Sequence, residues 1–387
     1  MIQRLIYDPQ VIQAVGEYAA THDVREDVAF EKARDYAREI VPGFSATAYF
    51  GFATRAARWL SRLVYKVEVA GEENIASLDP DATIVFVMNH RSNMDYVLVT
   101  YIAAQTSALA YAVGEWARVW PLRSLIRALG GYFLRRTART TLYRKVLARY
   151  VQMATSGGVA QAAFLEGGLS LNGEIATPKM GLLSYIVAEF DPEGRDIIFI
   201  PVGLNYDRVL EDQILVSAAE TGKRRFRGSV PEAAAFSLRY IWRRIRRRAH
   251  RMGYAGVSFG KPVSLRALSG EEGRIQPSAL ASDLMDRIGN AVPILPVPLV
   301  AHALTGQSEI ERSALFEAVE KDRETASNNG RTMMVGENPL SAALVILERR
   351  GMVRSAGSKL VVDESRRSVL DFYAASVREL IDRPKDD

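Results

Sequence analysis

Three short apolar runs constrain the fold more than any other feature: Thr83–Met88, Ala162–Leu165 and Ile197–Val202. Each is bounded by Gly, Asp, Asn or Pro, and segments with helical apolar spacing lie between them. Runs this short and this uniformly apolar read as interior strands covered on both faces. Helices between such strands imply an α/β unit. The expected fold is therefore α/β, a mixed central sheet flanked by helices. Residues 1–70 read as a helical N-terminal region, with Leu60, Leu63 and Val64 at a helical step. Residues 71–270 hold the α/β unit, and 271–387 read as a helical C-terminal domain with a small hairpin over Gly351–Val362. The prolines of Val292–Pro298 forbid a long helix there.

Composition narrows the class. With 387 residues, 48% hydrophobic and 25% charged, the chain is globular, and collagen-like, coiled-coil and disordered classes are excluded. Cysteine is absent, which removes a disulfide framework, a cysteine nucleophile and a thiolate metal site. An acid at Asp8 and the lack of an apolar segment at the start argue against a secretory signal. Tyr96–Gly114 is an uncharged stretch of 19 residues, long enough to span a bilayer. Gln105, Thr106 and Ser107 interrupt it, so it reads as two buried elements with a break. Any membrane contact is then expected to be peripheral or monotopic.

The sharpest motif is Asn89-His90-Arg91-Ser92-Asn93-Met94-Asp95, directly after the first run. Five residues of helix turn about 140° net, so His90 and Asp95 meet only if His90 lies on the loop and Asp95 in the first helical turn. Ser92 is a good N-cap, and Asp95 three residues later completes a capping-box pattern. Two readings fit these residues. In one, His90 is a general base and Asp95 orients its imidazole. In the other, Asp95 only caps the helix and His90 is a satisfied loop histidine.

Three further segments carry chemistry-bearing residues. Gly130–Arg136 places Arg135 and Arg136 just after a short apolar run, where guanidinium groups suit phosphate. Phe164–Gly173 places Glu166, Gly167 and Gly168 at a strand end, where glycine lets backbone approach a ligand. Ile200–Glu211, with Pro201 and Tyr206, follows the third run.

Together and in this order, these segments resemble the four sequence blocks of the glycerolipid acyltransferases, in the glycerol-3-phosphate and dihydroxyacetone-phosphate branch. His90–Asp95 is similar to the H-x-x-x-x-D block, Gly131–Arg136 to the second, Phe164–Gly173 to the F-x-E-G-G block, and Ile200–Tyr206 to the fourth. Pro178-Lys179-Met-Gly-Leu-Leu and Phe259-Gly-Lys-Pro262-Val also look like segments of this branch. The resemblance covers about residues 60–380 and makes 71–270 the catalytic domain. It implies transfer of a fatty acyl group from acyl-CoA, or acyl carrier protein, to the 1-hydroxyl of glycerol 3-phosphate in phospholipid synthesis. On that model His90 is the base, Asp95 orients it, and neither a metal nor a cofactor is needed. Arg135, Arg136 and Lys179 hold the acceptor phosphate, Glu166, Gly167 and Gly168 shape the acceptor site, and Pro201 supports the wall.

One departure concerns the acceptor. The third block of the family reads E-G-G-R-S-R-x-G, but Leu169 and Leu171 replace both arginines here. Losing a guanidinium from a phosphate site removes an interaction worth roughly 1.5–3 kcal/mol. A lysolipid or aminolipid acceptor is the alternative that suits leucine.

Charge is concentrated in one place. Residues 223–251 hold eleven Lys/Arg against Glu232, a net of +10, so the remainder of this +5 chain sums to −5. A basic block of this kind points to a polyanion. Phe236–Arg251 reads as a basic amphipathic helix, with Arg239, Trp242, Arg243, Arg246 and Arg247 suited to an anionic membrane surface on the cytoplasmic face. A nucleic-acid partner is the competing class, because Pro339–Arg350 and the hairpin after it resemble a winged helix. Glu348, Asp363 and Glu364 dilute the charge there, so no nucleic acid is expected.

Overall fold

The computed structural model describes residues 1–43, 54–76, 78–103, 110–114, 131–134, 140–222, 242–243, 246, 250–269 and 275–383. Its main sheet has eight strands: β1 (Lys66–Ala70), β2 (Thr83–Met88), β3 (Ala110–Gly114), β4 (Gly131–Leu134), β5 (Gln161–Phe164), β6 (Ile197–Tyr206), β7 (Tyr254–Phe259) and β8 (Val263–Ser264). The order is β1-β7-β6-β2-β5-β3-β4, with β8 also on β6. The strands β6, β2, β5, β3 and β4 run parallel, while β7 and β8 pair antiparallel to β6, and β1 runs parallel to β7. The sheet is therefore mixed, and the three apolar runs fall at its strands β2, β5 and β6.

Residues of β2 alternate between two cores, as the pleat requires. Val85 and Val87 face the layer built with the N-terminal helices, the helix Thr141–Ser156 and the helix Pro277–Ala291. Phe86 and Met88 face the layer that holds the C-terminal helices. The N-terminal helices are Ile2–Ile6, Pro9–His22 and Glu26–Ile40. Asp8 caps the second of these through the Gln10 N–H, 3.0 Å away, with Pro9 at the first helical position. The same carboxylate takes both Nε and Nη2 of Arg149, at 3.0 and 2.8 Å, which ties this region to Thr141–Ser156.

The helical reading of residues 1–70 stops short. Helix Thr54–Val64 ends at Val64, and Lys66–Ala70 forms the edge strand β1. Its burial is only partial on either face, so an apolar-run criterion misses it. The third run also goes further than its apolar residues suggest. β6 continues through Gly203-Leu204-Asn205-Tyr206, because these residues pair with β7 beyond the end of β2. Tyr96–Gly114 divides between the helix Met94–Ala103 and β3. Among the described residues, no helix is long and apolar enough to cross a membrane.

The C-terminal part contains helices Pro296–Ala303, Arg312–Asn328, Pro339–Arg349, Arg367–Ala375 and Arg378–Asp382. Its hairpin, β10 (Val353–Ala356) and β11 (Lys359–Val362), is joined by β9 (Glu309–Glu311) on β11. Lys359 in this hairpin pairs with Glu309 at 2.9 Å. In the basic block, Trp242 and Arg243 are helical and exposed, and the Arg246 N–H reaches the Trp242 carbonyl at 3.1 Å. The Arg246 guanidinium lies 3.9 Å above the Trp242 ring. Arg239 and Arg247 lie outside the described residues, as do Arg135 and Arg136.

Asp207 joins three elements at the end of β6. Its two oxygens accept from Tyr254 N–H and Val297 N–H, each at 2.8 Å. Burial without a cation pushes its carboxyl up to about 7. Between the ordinary carboxylate range and about pH 7 the unfolded chain is the more ionised, so this group's contribution to stability is full below about pH 4 and is lost as pH rises to about 7. Asp207→Asn should therefore destabilise the protein in urea melts, with the gap to wild type widest at low pH and narrowing toward neutrality. A gap independent of pH would show that Asp207 does not titrate in that window.

Candidate active site

Four backbone segments converge at the carboxyl ends of β2, β5 and β6. The first is the loop from β2 into the helix Met94–Ala103. Asn89 extends β2 with its side chain: Nδ2 donates to the Leu204 carbonyl at 2.9 Å, and Oδ1 accepts from the Leu204 N–H at 2.8 Å. The amide thus stands in for one more residue of strand pairing, and it fixes where the next residue, His90, begins.

His90 is 5% exposed. Its Nδ1 lies 2.9 Å from Asp95 Oδ2. A carboxylate oxygen accepts, so Nδ1–H is the donor in this bond and Nε2 is the ring nitrogen turned away from Asp95. The imidazole stacks on Phe164 with centroids 4.1 Å apart, and Tyr96 meets it edge-on at 5.3 Å. The Tyr96 hydroxyl is 3.4 Å from Nε2.

Asp95 is fully buried and collects further donors. Its Oδ2 also accepts from Arg91 N–H at 2.7 Å and Ser92 N–H at 3.0 Å, and Oδ1 accepts from the Tyr206 hydroxyl at 2.5 Å. Ser92 Oγ in turn accepts from Met94 N–H at 3.1 Å. The acid reaches back to Ser92 while the hydroxyl reaches forward, the reciprocal pattern of a capping box. Capping and orientation of His90 are thus one carboxylate's work. Burial raises the Tyr206 hydroxyl well above the ordinary phenol range, and Asp95 adds to this, so it remains a donor.

Glu166 holds the His90 backbone rather than the imidazole. Its oxygens accept from His90 N–H at 2.8 Å and Ala176 N–H at 3.1 Å, and Ser170 N–H reaches the His90 carbonyl at 2.9 Å. Burial raises this carboxyl, opposed by those two backbone donors and by Arg91. Gly167 has φ +67°, a left-handed conformation, and a Cβ there would meet the Lys179 side chain at 2.8 Å. Lys179 is exposed, Gly168 half-buried, and Pro201 buried in β6 where that strand changes partner from β8 to β7. Leu169 and Leu171 are partly buried and pack on the apolar core.

Arg91, beside His90, turns inward and is 2% exposed. Its guanidinium donates to the Gly173 carbonyl and lies 5.0 Å from the Phe372 ring. Nε and Nη2 have no hydrogen-bond partner among the described residues. Burial lowers its pKa, opposed by the nearby charges of Glu166 and Asp95. Gly173, at φ +91°, lies so close to the C-terminal helix that a Cβ would run into the Phe372 carbonyl.

Sequence reasoning identified His90, Asp95 and Glu166, and the structure brings these three together. Asn89, Arg91, Tyr206 and Glu211 stood within the quoted segments but had no role assigned to them. A polar residue directly after an apolar run was the only local signal for Asn89, and the others depend on contacts between distant segments.

The chain is similar to several known proteins. Residues 66–205 match the Acyltransferase family model. The chain is 25% identical to the glycerol-3-phosphate acyltransferase of Haemophilus ducreyi, covering 99% of this chain and 50% of that protein. It is 29% identical to the glycerol-3-phosphate acyltransferase of Shewanella amazonensis, over 81% of this chain and 41% of that protein. The chain thus spans about half the length, or less, of these curated relatives. Among solved structures, a 1-acyl-sn-glycerophosphate (LPA) acyltransferase from Thermotoga maritima is similar at 21% identity and a TM-score of 0.38, covering 74% of this chain and 95% of that one. The similarity to the Acyltransferase family model thus spans β1 to β6.

Asn89→Ala leaves the Leu204 N–H and carbonyl without partners in a buried setting. We expect a loss of about 1–3 kcal/mol, read as a lower midpoint in thermal unfolding. Asn89→Asp, which offers no donor to the Leu204 carbonyl, should cost at least as much.

Proposed function

We propose that this chain moves a fatty acyl group from an acyl thioester, acyl-CoA or acyl carrier protein, to the 1-hydroxyl of glycerol 3-phosphate. The observation that carries the reading is the 2.9 Å bond between His90 Nδ1 and Asp95 Oδ2, which leaves Nε2 as a base. The hydroxyl oxygen attacks the thioester carbonyl carbon while its proton passes to Nε2. The tetrahedral intermediate collapses, the C–S bond breaks, and the departing thiolate takes that proton back. Asp95 supports the imidazolium between these two steps. Glu166, by gripping the His90 N–H at 2.8 Å, keeps the ring in place for both. The names of the relatives favour glycerol 3-phosphate as acceptor, with Arg135, Arg136 and Lys179 as the cations for its phosphate.

A second acceptor class has its own support. Leu169 and Leu171 pack on apolar core, so those positions offer no charge to a phosphate. A lysolipid or aminolipid fits them better. An assay with labelled palmitoyl-CoA against glycerol 3-phosphate, dihydroxyacetone phosphate, lysophosphatidic acid and a lyso-aminolipid separates the two readings. Product from glycerol 3-phosphate supports the first; product from a lysolipid alone supports the second.

We place the enzyme on an anionic membrane surface at its cytoplasmic face, through Trp242, Arg243 and Arg246 together with Arg239 and Arg247. Support comes from the exposed Trp242 and the arginine stacked upon it, a pairing suited to the lipid interface.

His90→Ala should lower the transfer rate by about 10²–10⁴-fold while circular dichroism stays near that of the wild type. An unchanged rate would remove His90 as the base. Replacing Arg243, Arg246 and Arg247 by Gln should weaken sedimentation with phosphatidylglycerol vesicles, most at low salt, by about 1 kcal/mol per residue. Equal sedimentation of variant and wild type would return these arginines to a solvated surface.

A further inference from the structure

The loop that carries His90 is held from two sides, and only one of them is Asp95. Glu211 is 9% exposed and lies on the far side, just beyond β6. Its Oε1 accepts from Asn93 N–H at 2.6 Å, and Oε2 accepts from Ser92 Oγ–H at 3.1 Å. Both oxygens are thus spent on the loop, and no cation pairs with Glu211 among the described residues. Burial raises its carboxyl, the Asn93 N–H opposing. Such a group costs free energy unless its bonds are needed.

The next residue connects this carboxylate to the C-terminal helices. Asp212 Oδ2 pairs with Arg350 Nη2 at 2.6 Å and accepts from the Tyr373 hydroxyl. That hydroxyl oxygen accepts from Val209 N–H and from Arg350 Nη1, both at 3.0 Å. Segment 209–212 is therefore pinned at both ends by Tyr373 of the helix Arg367–Ala375, and at Asp212 also by Arg350, the residue that follows the helix Pro339–Arg349. We infer that Glu211 is a positioning residue for the His90–Asp95 loop, and that Tyr373 and Arg350 hold Glu211 in register through Asp212. The C-terminal helices are then part of what orients the base. As regards catalysis, this inference rests on the proposed role of His90; as regards geometry, it stands without it.

The test uses full-length protein with ¹⁵N-labelled histidine. The His90 imidazole signals are those missing from His90→Ala. His302, whose Nδ1 lies 2.7 Å from Asp322 in the C-terminal part, is an internal reference for general loosening. Glu211→Ala should move the His90 signals and leave those of His302 in place. It should lower kcat about 10- to 100-fold with KM within about threefold. Glu211→Gln keeps an acceptor for Asn93 N–H and should restore most of both readouts. Tyr373→Phe should move His90 in the same direction by a smaller amount, and it carries the test if Glu211→Ala does not fold. Unmoved His90 signals in these variants, or His302 signals that move alongside them, would overturn the proposal. Should the wild type transfer no acyl group to any acceptor, the catalytic reading fails, while the His90 signals still decide the question of position.

Discussion

A carboxylate shut away from water keeps its charge only if the protein supplies the donors that water did. Asp95 is fully buried and receives His90 Nδ1–H, two successive backbone N–H groups and the Tyr206 hydroxyl. Those donors come from the loop after β2 and from the end of β6, so satisfying one side chain closes the loop against the neighbouring strand. The same closure fixes the histidine tautomer. Stability of the loop and orientation of the imidazole are two consequences of one set of hydrogen bonds.

The sheet puts this arrangement where it can be built. β2 lies between β5 and β6, and the loops that follow these parallel strands all emerge at the same edge, the usual place for a site in an open α/β sheet. β5 delivers Glu166 to the His90 backbone, and β6, being four residues longer than its pairing with β2, carries Tyr206 up beside Asp95. Antiparallel β7 supports that overhang. Without it, the last residues of β6 would have unpaired backbone groups and Tyr206 no fixed height.

The C-terminal helices reach the same region from above. Phe372 lies under the Arg91 guanidinium and against Gly173, while its neighbour Tyr373 binds Asp212 and Val209. Two adjacent residues of one helix thus touch the loops after β2, β5 and β6. A guanidinium as deeply buried as that of Arg91 is tolerable because Glu166 and Asp95 lie close enough to offset its charge.

Much of this was legible in the residues alone. The α/β class followed from three uniformly apolar runs, since a strand covered on both faces leaves no other pattern. Spacing and the capping preference of Ser92, both local effects, allowed His90 to meet Asp95 and left open whether the two pair. β1 was not legible, because an edge strand with half-buried faces has no such signature, nor was the end of β6, where Gly203 and Asn205 read as loop. Likewise, the destination of Glu166 was not legible: a carboxylate at a strand end can face a substrate or a backbone N–H, and the sequence around it is the same in either case. By itself the sequence determined the α/β class and which residues can do acid–base chemistry, because periodicity, capping and ionisable groups are properties of short segments. Only the tertiary structure decided that Asn89, Tyr206, Glu211 and Tyr373 hold that chemistry in place, because each acts on a partner many residues away and a hydrogen bond exists only once the fold has brought donor and acceptor together.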